Sequence, residues 1–111
     1  MATDDVVVHR VSVPGDPKPI EAWTDDDIAA RYDDPARAAL DALQRGRRDG
    51  ATRFVFVLPA EVSAASEAVR LLMLGAARQW DSEGVTVNCV VGDDRRVVEF
   101  LASGAVTGKT L

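Results

Sequence analysis

Arg53–Pro59, RFVFVLP, is the stretch that decides how this chain folds. Phe54 to Leu58 are apolar without interruption, whereas a strand with one wet face alternates between apolar and polar residues. Such a run suits a parallel sheet covered on both faces. Three further strand patterns are read around it. Asp5–Val13, DVVVHRVSV, is rich in β-branched residues and stops at Pro14-Gly15. Within Gly84–Asp94, GVTVNCVVGDD, the part Val85–Val91 reads as a strand opened by a turn glycine. Val106–Leu111, VTGKTL, closes the chain as a short fourth strand.

Helical patterns alternate with these strands. The segment PGDPKPIEAW, Pro14–Trp23, holds three prolines and is expected to be an extended loop, because each proline lacks a donor and fixes φ. Thr24–Asp27, TDDD, then offers a hydroxyl cap and first-turn carboxylates for a short helix. Asp34-Pro35 is read as the cap and first residue of the next helix, with Ala36, Ala39, Leu40 and Leu43 as its apolar stripe and Gly46 or Gly50 as its end. The longest helix spans about Glu61–Ser82. Its polar line is narrow, and Val62, Ala65, Val69, Leu71 to Leu74, Ala76 and Trp80 cover more than one stripe, so it should bury two faces. Asp93 is read as the cap of a last helix carrying Val97, Val98, Phe100 and Leu101.

The order βαβαβαβ defines an α/β, half-Rossmann fold: four short parallel strands and three main helices joined by right-handed crossovers. If the strands neighbour one another in sequence order, all helices gather on one face. The other face of the sheet is then expected to be bare and apolar.

Bulk properties bound the function. With 111 residues, of which 47% are hydrophobic and 28% charged, the chain is expected to form one domain. Its net charge of -5 argues against a nucleic-acid surface, and the cluster Arg45, Arg47 and Arg48 serves the end of a helix. No apolar run approaches the roughly 20 residues of a membrane span. The opening residues MATDDVVVHR carry acid where a secretory signal carries base, so a soluble cytoplasmic protein is expected. The single cysteine, Cys89, and the single histidine, His9, are read as packing residues, and no metal site is expected. The triplet Asp25, Asp26 and Asp27 is assigned to the helix dipole rather than to a cation.

From Pro17 onward the chain resembles the second half of a short-chain dehydrogenase/reductase. PIEAWTDDDIAARYDD and ARAALDAL are similar to that family's fourth-strand loop and contact helix, and TRFVFVLP is similar to its fifth strand. AVRLLMLGAARQWDSEGVTVNCV resembles the next helix and strand, with the marker glycine, hydrophobic, any residue, valine, asparagine; VVEFLASGAVTGKTL resembles the close of the fold. The resemblance implies a truncated single domain, residues 1–111, and lets the family's chemistry be checked residue by residue.

That chemistry is missing. A Gly-rich turn that opens a helix holds pyrophosphate in such enzymes, and VSVPGDP lacks the glycine spacing. The positions matching the family's tyrosine and the lysine four residues later are Val62 and Ser66; the expected serine falls at Leu58 or Pro59. The asparagine-bearing turn is absent before ARAAL, and only Gly92 separates VNCVV from Asp93 where a substrate lid is usual. Tyr32 has Ala36, not lysine, one helical turn later.

The expectation is therefore a non-catalytic subunit with no catalytic residues and no cofactor. It would oligomerise with itself or with a full-length reductase through Leu40, Leu43, Val69, Leu72, Met73, Ala76 and Trp80. The alternative is a small-molecule or nucleotide-binding module, a residual oxidoreductase, at the carboxyl edge of the sheet. Pro14-Gly15, Pro59-Ala60 and Gly92-Asp93-Asp94 would line that edge.

Overall fold

A computed structural model describes residues 5–111. Among them β1 (Val6–Arg10), β2 (Arg53–Leu58) and β3 (Thr86–Val91) form a parallel sheet in the order β1-β2-β3. The register is unbroken from Val6 opposite Arg53 to Arg10 opposite Val57, and from Arg53 opposite Thr86 to Leu58 opposite Val91. Every residue of β2 from Phe54 to Leu58 is buried, as its continuous apolar run requires.

After the proline loop, Thr24 caps α1 (Asp25–Ile28) in a reciprocal box with Asp27. No new cap follows at Asp34. The backbone stays helical through a π turn, Ala29–Asp33, directly into α2 (Asp34–Arg48). Pro35 explains the wide turn, because a proline inside a helix lacks a donor and crowds the carbonyl four residues back, here that of Arg31. Nor does Gly46 end α2. It lies buried within the helix, where an added Cβ would stand 2.4 Å from Cε1 of Phe54, so its missing side chain lets α2 settle onto the sheet. Gly50, at φ 88°, makes the terminal turn.

The long helix α3 (Ala64–Gln79) is shorter at both ends than its apolar pattern suggests. Ser63 and Ser66 form its capping box, and a 3₁₀ turn at Asp81–Glu83 leads to Gly84. Phe54, Phe56, Leu58, Val87 and Cys89 from one sheet face meet Ala39 and Leu43 of α2 and Val69, Met73, Ala76 and Ala77 of α3.

The other sheet face is not bare, contrary to the expectation from strand order. The helix α4 (Arg95–Ala102) buries Leu101 against Val55, Val57 and Val90, with Val97, Val98 and Ala102 around it. The segment after α4 returns beside β3 in the same direction as the other strands, so its connection has the opposite hand to the two before it. Common crossover handedness was the assumption that failed. Gly92, at φ 79°, turns the chain to the new face, and Asp94 rather than Asp93 caps α4 by accepting from the N–H groups of Arg96 and Val97. Cover from α4 reaches β2 and β3 but leaves Val8 of β1 36% exposed.

The expected fourth strand contracts to a single parallel bridge, Cys89 with Thr110. Gly108, at φ 72°, bends the backbone out of extended geometry just before it. The N–H of Cys89 donates to Lys109 O at 2.8 Å and that of Leu111 to Cys89 O at 3.0 Å. No helix of the described residues is long and apolar enough to cross a membrane.

Candidate functional site at the carboxyl edge of the sheet

The chain leaves β1, β2 and β3 at the same edge, and their exits surround an open crevice of about 1300 Å3. Pro14 and Gly15, Pro59 and Ala60, and Gly92 and Asp93 line it, as the topology of an open parallel sheet dictates. The proline loop folds over one side and brings Trp23 to the wall, and the π turn adds Arg31.

The cations at this rim are already paired within the chain. Arg10 Nε lies 3.2 Å from the Asp93 carboxylate, so Asp93 ties β1 to the exit of β3 instead of capping a helix. Lys18 Nζ donates to Asp27 Oδ2 at 2.6 Å, and Arg31 donates to both the backbone oxygen and the carboxylate of Asp16, at 2.8 and 2.9 Å. The Lys18 ammonium, followed by the backbone N–H and hydroxyl of Thr24, holds the Asp27 carboxyl well below the usual carboxylate range. Asp27 thus acts as a loop fastener. The indole of Trp23 donates to Lys18 O at 3.1 Å and completes the tether.

This arrangement does not fit a nicotinamide dinucleotide held in the usual way. Pyrophosphate binding needs free backbone N–H groups at a helix start or an uncommitted cation. VSVPGDP forms no helix start, the Ser66 N–H in the first turn of α3 donates to its own serine cap, and the cations of the rim face carboxylates. Among the described residues no group of three His, Cys, Asp or Glu side chains could hold a metal ion.

The positions carried over from the family resemblance hold no proton-transfer group. Val62 is 82% exposed in the approach to α3. Ser66 is buried, its hydroxyl donating to Ser63 O at 3.0 Å while accepting from Ser63 N–H at 2.9 Å. Leu58 is buried in β2, and Tyr32 sits half-exposed in the π turn. Cys89 is enclosed in β3, where burial pushes its thiol up to about 12 and leaves it un-ionised at neutral pH.

The seven residues expected at a contact surface divide. Leu43, Val69, Met73 and Ala76 belong to the chain's own core, where the double-sided apolar pattern of α3 is spent on the sheet and on α2. Trp80 packs on Phe54 with ring centroids 5.9 Å apart and lies under the Arg47 guanidinium at 5.4 Å. Leu40 is exposed and Leu72 half-buried against the core, on either side of a shallow depression between α2 and α3 that includes Ala29, Ala36 and Ala68. Leu71, 61% exposed, adjoins Leu72 in the chain.

Asn88 is the residue whose importance composition alone does not reveal. It is fully buried, and its amide holds the terminal segment at two points: Nδ2 donates to Val106 O at 2.9 Å and Oδ1 accepts from Lys109 N–H at 2.9 Å. A lone asparagine in an otherwise apolar strand is the signal that points to it, since a buried amide must find partners.

The architecture now has counterparts among solved structures. The reductase LugOII, described as promiscuous and as catalysing keto-reduction at C1 during lugdunomycin biosynthesis, superposes with a TM-score of 0.81 at 24% identity, covering 96% of this chain and 57% of that one. YwfH, an NADPH-dependent reductase involved in bacilysin biosynthesis, gives 0.72 at 16% identity over 94% of this chain and 62% of its own. These likenesses establish a Rossmann-like fold, one that these reductases share. This chain spans about three-fifths of the length of those neighbours. No protein-family model and no curated protein matches the sequence.

Proposed function

We propose that this chain is a non-catalytic, reductase-like subunit that works by pairing with another polypeptide, either a second copy or a full-length reductase, through the exposed face of α2 and α3. One observation carries the reading: where the family resemblance puts the proton donor and its lysine, α3 and its approach present an exposed valine and a serine committed to a cap, while Leu71 of α3 and Leu40 of α2 stay exposed and the half-buried Leu72 borders the depression between the two helices. Apolar side chains grouped on one face mark contact surfaces more often than they mark catalysis. The wide bare sheet face that strand order suggests plays no part, because α4 occupies it over β2 and β3.

Sedimentation of the wild type and of a Leu40→Glu, Leu71→Glu double variant across the micromolar range tests the proposal. Self-association, or stoichiometric association with a purified reductase, that the double variant loses supports it. A chain that stays monomeric and leaves a reductase unbound overturns it. The crevice supports a second reading, a small-molecule or nucleotide site at the carboxyl edge of the sheet, which a charged ligand would enter by displacing the ion pairs of the rim. Nicotinamide nucleotides are expected to leave the melting temperature unchanged under the first reading, and a dose-dependent rise would favour the second.

A further inference from the structure

Three ion pairs border the crevice, and one of them is lopsided. Arg10 and Asp93 are both largely exposed. Lys18 reaches the carboxylate of Asp27, which Thr24 also holds, so that anion belongs to the helix cap and stays. Between Arg31 and Asp16 the cation is sheltered and the anion is wet, with side chains 12% and 74% exposed. The Arg31 guanidinium donates from one outer nitrogen to Asp16 O at 2.8 Å and from the other to Asp16 Oδ2 at 2.9 Å, while its Nε lies 3.8 Å from Asp27.

Asp16 stands on a segment with little else to hold it. Among the described residues no backbone–backbone hydrogen bond ties residues 12–18 to the sheet or to a helix, and every residue from Pro14 to Pro19 is exposed. Lys18 and Arg31, set against the one carboxylate of Asp27, leave one positive charge, and Asp16 supplies the matching negative one. Lifting Asp16 away would leave Arg31 at the crevice wall, still oriented by Asp27, with two nitrogens in want of an acceptor. A free carboxylate suits that fork better than Asp16 does, because its two oxygens can meet both outer nitrogens at once. Much of the remaining wall is apolar, including Val13, Trp23, Pro59 and the highly exposed Ile20 and Val62. An apolar wall with one oriented charge is the usual composition of a small-molecule site.

We infer that the crevice takes a small carboxylic acid anion with an apolar body, its carboxylate bound by the Arg31 guanidinium in exchange for Asp16, and that the proline loop is a tethered competitor for that place. This rests on the reading of the crevice as a small-molecule site, the second of the two above. The exchange conserves charge: one carboxylate leaves the guanidinium as another arrives, and no proton moves.

Benzoate is the probe, benzyl alcohol its uncharged counterpart, and the Trp23 indole N–H resonance the readout, on the isotope-labelled full chain at constant ionic strength. Trp80, which packs on Phe54 and does not line the crevice, serves as internal reference. Benzoate is expected to move Trp23 with a dissociation constant of about 1–10 mM, and benzyl alcohol to bind about tenfold more weakly. Asp16→Ala, at an exposed position, should tighten benzoate by about fivefold, as loss of one competing surface ion pair allows, and leave benzyl alcohol unchanged. Glu61→Gln, which removes another carboxylate of the rim, should change neither. Arg31→Lys keeps the charge but lacks the fork, and should abolish the preference for benzoate. Equal binding of the two probes overturns the inference and leaves the crevice reading standing, as does a benzoate affinity that Asp16→Ala fails to tighten or that Glu61→Gln tightens as much. No movement of Trp23 with either probe, in the wild type and in Asp16→Ala, overturns the exchange and the crevice reading together and leaves the pairing proposal. Should Arg31→Lys not fold, the Asp16→Ala titration decides alone.

Discussion

Replacing Asn88 with alanine should unfasten the end of the chain. The amide lies fully buried in β3 and makes two hydrogen bonds of 2.9 Å, one at each end, to backbone groups of the segment Val106–Lys109. Each such bond contributes about 1 kcal/mol net, and removing the amide also strands a backbone acceptor and a donor. A small void adds to the loss, so the expected cost is about 2–4 kcal/mol. For a domain of this size that lowers the melting temperature by about 10 °C or more. Urea and thermal unfolding followed by circular dichroism measure it directly. Asn88→Asp should be worse, since it removes the donor to Val106 and buries a charge without a counterion. A loss below about 0.5 kcal/mol in Asn88→Ala would refute the reasoning, because the clamp would then carry no more than a surface contact.

Two glycines should respond to alanine with opposite signs. Gly75, exposed in α3 with nothing within 4 Å of an added Cβ, should gain about 0.5–1 kcal/mol from helix propensity. Gly46, with its added Cβ 2.4 Å from a Phe54 ring that is 1% exposed, should lose about 1–3 kcal/mol despite the same propensity gain; melting temperatures of the two variants read the contrast. His9 packs edge-on against Phe56 at 5.8 Å, and burial lowers its pKa below the ordinary value of 6.5. The unfolded chain therefore takes up the proton first as pH falls, so this group leaves stability unchanged above about pH 6.5 and reduces it below. Urea midpoints at about pH 7.5 and 5.5 should show that decline in the wild type and a smaller one in His9→Gln, the range staying above the carboxylate titrations.

Residues that answer to local rules were legible in the sequence. β2 declares its burial by an unbroken apolar run, and Thr24 sits where threonine caps a helix, whereas Ser63 reads as part of the polar line of α3 and proves to be its cap. The carboxyl-edge crevice follows from strand direction alone, and Pro14-Gly15, Pro59-Ala60 and Gly92-Asp93 line it, while Asp94, expected beside them, caps α4 instead. What failed were features set by three-dimensional competition. Asp93 and Asp94 are adjacent and both able to cap; Asp94 caps α4 while Asp93 meets Arg10, a partner 83 residues away. Periodicity shows that α3 is apolar on two sides but not that α2 and the sheet consume both, which is why Met73 and Val69 lie inside while Leu71 lies outside. The side of the sheet taken by α4 depends on one left-handed glycine, Gly92, which reads in sequence like any turn.

The π turn at Ala29–Asp33 carries a consequence for how the crevice could change. Such a turn amounts to one surplus residue in an otherwise regular helix, and one residue corresponds to about 100° of rotation. Losing it would swing α1 around the axis of α2, carrying Asp27 out of reach of Lys18 and Arg31 away from Asp16, and the fastened loop would come loose. The mouth of the crevice is therefore geared to a single turn of helix remote from the sheet, whose winding sets the loop without touching the strands beneath.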